Sequence, residues 1–347
     1  MMVIGIDAHK RTHTAVSADE LGRKLSTKTV GTTSSDHLAL LKWARAQPDP
    51  ERLWALEDCR NMTRRLESDL IAAGERVVRV PPKLMAHARD SARTYGKSDP
   101  IDALAIARAA LREPDLPVAR LDGVEREIRL LVDHREDLVA ERTRVIARLR
   151  WHLHELDPGW TPPGKLERAS AYDRVTVHLA QFDGLVARLA ATLVEHYRRL
   201  TIEIDELAGE INERIQRIAP SLLAIAGCAG LTAAKIIGET AGVDRFRSKD
   251  AFARHNGSAP LPVWSSNRAR HRLSRTGNRQ LNAALHRIAL TQARCHPDAR
   301  ALLARRKAKG DGGMEALRIL KRRLSDVVYR AMLADLDHRS AETPTAA

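Results

Sequence analysis

The sequence predicts three successive parts: an α/β domain, a pair of long helices, and a basic domain that is mainly helical. Three observations carry this expectation. Short apolar runs alternate with amphipathic stretches through about the first 120 residues. A three-four apolar spacing then runs through two long segments. Finally, residues 217–347 hold 24 Lys and Arg against 10 Asp and Glu, whereas residues 1–216 hold 34 of each. The whole formal charge of +14 therefore lies in the last part. The expected domains are residues 1–120, 121–216 and 217–347.

In the first part, MVIGIDAHK is an apolar strand that ends in polar residues, and THTAVSADELGRKLSTKTV reads as two further strands around an Asp-Glu-Leu-Gly turn. SSDHLALLKWARAQ has an N-cap signal and helical periodicity, and RLWALED returns to strand. NMTRRLESDLIAAG is an amphipathic helix ended by Gly74, RVVRVPP is a strand, and helices follow from about Lys83. Three strands in hairpin order, followed by alternating strand and helix, resemble the ribonuclease-H topology; periodicity by itself gives only α/β. In YGKSDPIDALAIA, Asp99 suits an N-cap, Pro100 the first helical position, and Asp102 the N3 position, where its charge favours the helix dipole.

In the second part, Val124, Ile128, Leu131, Leu138, Val145, Leu149 and Leu156 form one apolar run, interrupted by Arg135, Arg142 and His152. Leu189, Leu193, Tyr197, Leu200, Ile204, Leu207 and Ile211 form another. They read as the two arms of a helical hairpin or coiled-coil spacer, joined by DPGWTPPGKLERASAYD, whose Pro and Gly break the helix. In the third part, two apolar helical pieces flank Gly227-Cys228-Ala229-Gly230, which resembles a helix-hairpin-helix. In that motif the glycines let backbone N–H groups approach a phosphate. GDGGMEALRILKRRLSDVVYRAML closes the chain as a helix.

Composition narrows the function. A basic segment beside an electrically balanced one suits a polyanion, and nucleic acid is the usual polyanion. Cys59, Cys228 and Cys295 have neither disulfide-framework nor zinc-ribbon spacing. No apolar run is long enough to span a bilayer, and MMVIGIDAHK lacks the pattern of a signal peptide, so a cytoplasmic protein is expected.

Two constellations carry candidate chemistry. Asp7 and Glu57 stand where the first and fourth strands run out, and strand ends are where sites in open sheets are built. If the helix with Asp99 and Asp102 crosses nearby, four carboxylates converge and need a cation among them. Hard oxygen ligands suit Mg²⁺, and two such ions about 4 Å apart serve phosphoryl transfer. Separately, HNGSAPLPVWSSNRARHRLSRTGNRQLNAALHRIA sets tandem serines among Arg268, Arg270, Arg272, Arg275 and Arg279, an electrostatic clamp for a phosphodiester. Taken singly, each acid also reads as a cap or a solvated charge, and the arginines as a solvated loop.

As a set, GIDAHK, ALEDC and GKSDPIDALAIA, in this order, resemble the DEDD-type insertion-sequence transposases, the family of the Piv DNA invertase and the bridge-RNA-guided recombinases. The resemblance covers nearly the whole chain and implies a RuvC-like, RNase-H-like first domain, a helical spacer and a small C-terminal transposase domain. It assigns the four acids to Asp7, Glu57, Asp99 and Asp102 with Mg²⁺, with Asp58 as a neighbouring competitor for Glu57. GCAG, GSAP, Ser265-Ser266 and Gly277-Asn278-Arg279 resemble the family's C-terminal pattern, which implies a serine nucleophile on DNA. Ser265 is the first choice and Ser266 the second, because Ser266 stands where the family has Gly. Gly227, Gly230, Arg268, Arg270, Arg272, Arg275, Asn278 and Arg279 are the expected nucleic-acid contacts. The resemblance implies DNA as partner and a homo-oligomer, and some relatives add a structured guide RNA. Two other readings stay open: a Mg²⁺-dependent junction resolvase or nuclease without a covalent serine intermediate, and a non-catalytic nucleic-acid scaffold.

Overall fold

The computed structural model describes all residues except 58–61, 91–97, 114, 117, 120–122, 163–165, 167–168, 266–267, 274–276 and 343–347, with only the backbone at 83, 86, 89–90, 262–273 and 342. It divides into two compact units, residues 1–123 together with 240–347, and residues 124–239.

In the first unit, five strands form one sheet: β1 (Met2–Ala8), β2 (His13–Ala18), β3 (Lys24–Val30), β4 (Arg52–Glu57) and β5 (Val77–Val80). Their order is β3-β2-β1-β4-β5. β2 runs antiparallel to β1 and β3, while β1, β4 and β5 are parallel. Three strands in hairpin order followed by alternating strand and helix, as read from the sequence, are present as one mixed sheet, which fits the ribonuclease-H-like reading. The parallel pairs need crossovers, which α1 (Ser34–Arg45) and α2 (Arg64–Ala72) supply. A capping box at Thr33 and Asp36 starts α1.

Strand alternation sends residues of β1 to opposite faces. Ile4 and Ile6 pack with Trp54, Leu56, Leu40, Leu66 and Leu70 on the α1 and α2 side. Val3 packs with Leu53, Ala55 and Val78 on the other side, against α3 (Pro82–Asp90) and α4 (Asp99–Arg112). Between them, Gly5 has no room for a side chain. A Cβ there would lie 2.0 Å from the Ala103 carbonyl oxygen and 2.6 Å from the Ala107 nitrogen. Glycine thus lets the α4 backbone rest directly on β1, and the alanines of α4 complete the close approach.

One pair of histidines is buried in this core. His13 on β2 and His37 on α1 are almost fully enclosed, with ring centroids 5.5 Å apart. His37 Nδ1 donates to Asp69 at 2.6 Å. Burial, then the neighbouring His37 and His9, push the His13 imidazole down to about 4.

The second unit contains α5 (Val124–Leu156), α6 (Ala169–Leu179), α7 (Leu185–Ile218), α8 (Pro220–Leu223) and most of α9 (Gly230–Thr240). α5 and α7 are the expected long helices. The arginines that interrupt the apolar spacing are met by α7, with Arg135 donating to the Ile204 carbonyl and Arg142 to the Thr201 hydroxyl. The linking segment does more than break the helix. Its α6 inserts Tyr172, whose ring stacks on Tyr197 and whose hydroxyl donates to the Leu166 carbonyl. α9 also belongs to this unit, because Lys235 pairs with Glu136 at 2.7 Å and Gly238 lies against Arg129. The unit therefore ends at 239, beyond the sequence-based boundary at 216. The glycines of GCAG have packing roles here. Gly227 takes a left-handed turn (φ +84°), and a Cβ at Gly230 would overlap the Asn212 side chain.

The remainder of the first unit is α10 (Lys249–His255), a ribbon of β6 (Pro260–Ser265) and β7 (Arg268–Leu273), α11 (Arg279–Cys295), α12 (Pro297–Ala308) and α13 (Gly313–Glu342). The segment of serines and arginines is thus a β-ribbon within an otherwise helical part. Asp115 ties the two stretches of this unit, its buried carboxylate lying 2.5 Å from Arg247 and 3.0 Å from Arg254.

Two outcomes follow. Gly5→Ala forces backbone apart and is expected to destabilise the protein by about 3 kcal/mol or more, measured by urea denaturation. His13 has a folded pKa below its unfolded value, so its contribution is complete above about pH 6.5 and is lost as pH falls toward 4. The loss is expected to be about 3 kcal/mol in denaturation midpoints taken across that window, and His13→Leu should flatten the dependence.

Candidate metal and nucleic-acid site

The tight seating of α4 fixes the acidic site. Asp7 is one residue from the end of β1, and alternation turns it to the same face as Val3 and Gly5, toward the start of α4. α4 brings Asp99 and Asp102 in its first turn. The helix starts one residue earlier than expected: Ser98 is the N-cap residue, and the Ile101 and Asp102 backbone N–H groups bond to its carbonyl. Asp99 is therefore not the cap, and its side chain is half exposed and turned toward His9. Asp102 is buried, and so is Asp7.

These groups act on one another. Burial raises the Asp7 carboxyl above the usual carboxylate range; His9 opposes this, while the charges of Asp102 and Asp99 push it further up. Asp102, on the first turn of α4, is enclosed and not open to solvent. His9 Nε2 lies 3.2 Å from Asp7 Oδ2 and 3.4 Å from Asp99 Oδ1. One ligand atom from each of Asp7, His9 and Asp99 falls within a 4.8 Å group. Glu57 ends β4 on the neighbouring strand. Since Ile6 pairs with Leu56 in parallel register and both face α1 and α2, Glu57 follows onto the same side as Asp7. Asp58 lies outside the described residues.

Sequence reasoning missed His9. The signal was available, because an i, i+2 pair at a strand end shares a face. The imidazole lies between two carboxylates whose mutual repulsion a divalent cation would offset. Crowded, partly buried oxygen donors with an open side fit such an ion.

The basic constellation resolves into parts. Ser265 is the last residue of β6 and pairs in register with Arg268; Arg270 and Arg272 follow at alternate positions of β7, paired with Val263 and Leu261. Ser266 and Arg275 lie outside the described residues. Gly277-Asn278-Arg279 is a structural joint. A Cβ at Gly277 would strike the Gly257 backbone at 2.3 Å, Asn278 N–H donates to the His255 carbonyl, and the Asn278 side chain caps α11 by accepting from the Gln280 and Leu281 N–H groups. Arg279 opens α11 and is exposed. Further in, Asn256 donates to Ser325, Asn282 donates to the Asn256 carbonyl, and Lys321 donates to Asn282. This buried network holds the turn before β6 against α11 and α13. Among the described residues, no helix is long and apolar enough to cross a membrane.

Comparison with known proteins adds lineage. A family model described as a transposase of the DEDD, IS110 type matches residues 4–158, and another described as the transposase IS116/IS110/IS902 family matches residues 219–304. The uncharacterized 42 kDa protein of insertion element IS900 from Mycobacterium paratuberculosis is 27% identical over 403 residues, covering 99% of this chain and 98% of that protein. The uncharacterized 44.8 kDa protein of insertion element IS116 from Streptomyces clavuligerus is 27% identical over 384 residues, covering 96% and 94%. Among solved structures, Thermus thermophilus RuvC aligns both alone and in complex with a Holliday junction substrate. Each alignment has a TM-score of 0.28 and 17% identity, and covers 34% of this chain.

If the acids hold a divalent cation, Mg²⁺ should raise the melting temperature of the wild type, and Asp7→Asn should abolish the rise. At a hundred times the dissociation constant the stabilisation is about 2.7 kcal/mol, readable by calorimetry.

Proposed function

Because this chain belongs to the IS116/IS110/IS902 family of transposases, enzymes that cut and rejoin DNA, we propose a division of labour between its two constellations. Asp7, Glu57, Asp99 and Asp102 hold Mg²⁺, and Ser265 is the nucleophile on DNA. The observation that carries the first half is the grouping of one ligand atom each from Asp7, His9 and Asp99 within 4.8 Å of one another, beneath one close helix-strand contact. A divalent cation bound there would offset the charge that develops on a phosphate under attack.

The chain's own residues do the rest. The Ser265 oxygen bonds to phosphorus while a strand oxygen leaves, its proton passing to solvent and the leaving oxygen taking one up. A free strand hydroxyl later displaces the serine, so the number of phosphodiester bonds is unchanged and no outside energy source is needed. The ribbon arginines Arg268, Arg270 and Arg272, with Arg275 and Arg279, clamp phosphate oxygens in this scheme. If Asp7 and Asp99 held a cation, His9 beside them would orient their carboxylates. Residues 1–120, 121–216 and 217–347 remain our functional division into catalytic domain, spacer and DNA-binding domain, although the compact units divide the chain differently.

The test is a covalent adduct. Protein, Mg²⁺ and DNA carrying the element's ends, with and without co-purified RNA, should give a denaturant-resistant protein–DNA band. Ser265→Ala should remove it, and Asp99→Asn should lower its yield by about 100-fold or more. A band that survives Ser265→Ala sinks that assignment and moves it to Ser266. Nicking without any band favours a junction resolvase using water. No reaction and no cation binding leave a nucleic-acid scaffold.

A further inference from the structure

A cavity of about 390 Å³ lies where the turn at residues 257–260 meets α13. That volume is within the range of small-molecule sites, about 300–1,000 Å³. One face of α13 lines it with Arg318, Lys321, Arg322 and Arg323, and the acid among the lining residues is Glu315. The cations are not equivalent. Arg322 is held by Asp250 and Asp326. Lys321 is buried and gives one N–H to Asn282, which leaves two donors. Arg318 and Arg323 are exposed and have no ion-pair partner among the described residues. Ile319 of the same helix adds apolar surface, and Ala259 and Pro260 supply more on the wall formed by the turn. The Ser258 hydroxyl at the same wall is buried without a hydrogen-bond partner.

We propose that this cavity is a nucleotide pocket. It takes one nucleotide of a strand, its phosphates on the guanidinium groups of Arg318 and Arg323 and its base against the Pro260 and Ile319 surface. Guanidinium forks match phosphate oxygens, and an unstacked base gains from an apolar wall beside arginine planes. The pocket is also mechanically joined to the candidate serine. Pro260 begins β6 and Ser265 ends it, so the two are about 17 Å apart along one strand, on the order of five base steps of a duplex strand. The inference rests on a nucleic-acid partner and is independent of whether the acids and Ser265 are catalytic.

The experiment uses the full chain and labelled twelve-nucleotide single strands of DNA and of RNA with the same sequence, followed by fluorescence anisotropy against salt. Arg318→Ala with Arg323→Ala should weaken binding tenfold or more. It should also reduce the slope of log affinity on log salt by about 1.4, two phosphates at about 0.7 each. Ala259→Leu, which fills the pocket without changing charge, should weaken binding by a similar factor. Arg287→Ala with Arg294→Ala, two exposed positions on α11, should change it less than threefold. Arg318→Lys with Arg323→Lys keeps charge but loses the fork, and should recover part of the affinity. A loss with DNA alone, RNA alone or both identifies the strand that occupies the pocket. Equal loss in the α11 control, or unchanged binding in either Arg318/Arg323→Ala or Ala259→Leu, overturns the proposal. An adduct retained at wild-type level while binding is unchanged would reject the pocket and leave the proposed chemistry standing.

Discussion

Everything at the acidic site depends on a missing side chain at Gly5. Without a Cβ in the middle of β1, the α4 backbone can lie on the sheet at van der Waals distance. The first turn of that helix then has one place to go, above the strand end where Asp7 emerges. Carboxylates brought so close resist one another, and the rigid seating is what keeps them from separating. Stability supplied by the alanine-rich contact is in this sense stored as electrostatic tension at the site.

The C-terminal stretch uses the same device with different residues. Gly257 and Gly277 let two backbones cross, and the Asn256, Asn282, Ser325 and Lys321 network locks the crossing in place. Buried polar groups are tolerated only when satisfied, and a satisfied network specifies one arrangement. The β6–β7 ribbon therefore springs from a fixed base. Motifs that read in sequence as nucleic-acid contacts, such as Gly277-Asn278 and Gly230, owe at least part of their composition to this packing.

Much of the first domain was legible in the sequence, because strands buried on both faces and capped amphipathic helices follow local rules. Asp7 and Glu57 were found as the residues at which apolar runs end. The sequence reading left open whether the helix carrying Asp99 and Asp102 crosses near the end of β1, and the Gly5 contact supplies the cause of that crossing. What escaped reading was non-local. The cap of α4 moved to Ser98, since two N–H groups can share one carbonyl and composition does not choose among Ser98 and Asp99. His9 was overlooked because its second carboxylate neighbour, Asp99, is ninety residues away in sequence. α6 was hidden inside a segment dominated by Pro and Gly, and its order comes from Tyr172 reaching Tyr197. The β-ribbon was hidden by its arginines, and the extent of the helical unit by a lysine, Lys235, whose partner Glu136 is almost a hundred residues away.

The division of the chain into one continuous and one interrupted unit has a consequence in time. Residues 1–123 belong with residues 240–347, yet the whole helical unit must be synthesised between them. At bacterial-scale elongation that interval is on the order of ten seconds. During it the sheet can form, and so can the helical hairpin, whereas the ribbon with Ser265 and the Arg247 and Arg254 partners of Asp115 do not yet exist. The nascent chain acquires Asp7, Glu57, Asp99 and Asp102 early and the β6–β7 ribbon late. The order of synthesis itself delays assembly of the complete first unit.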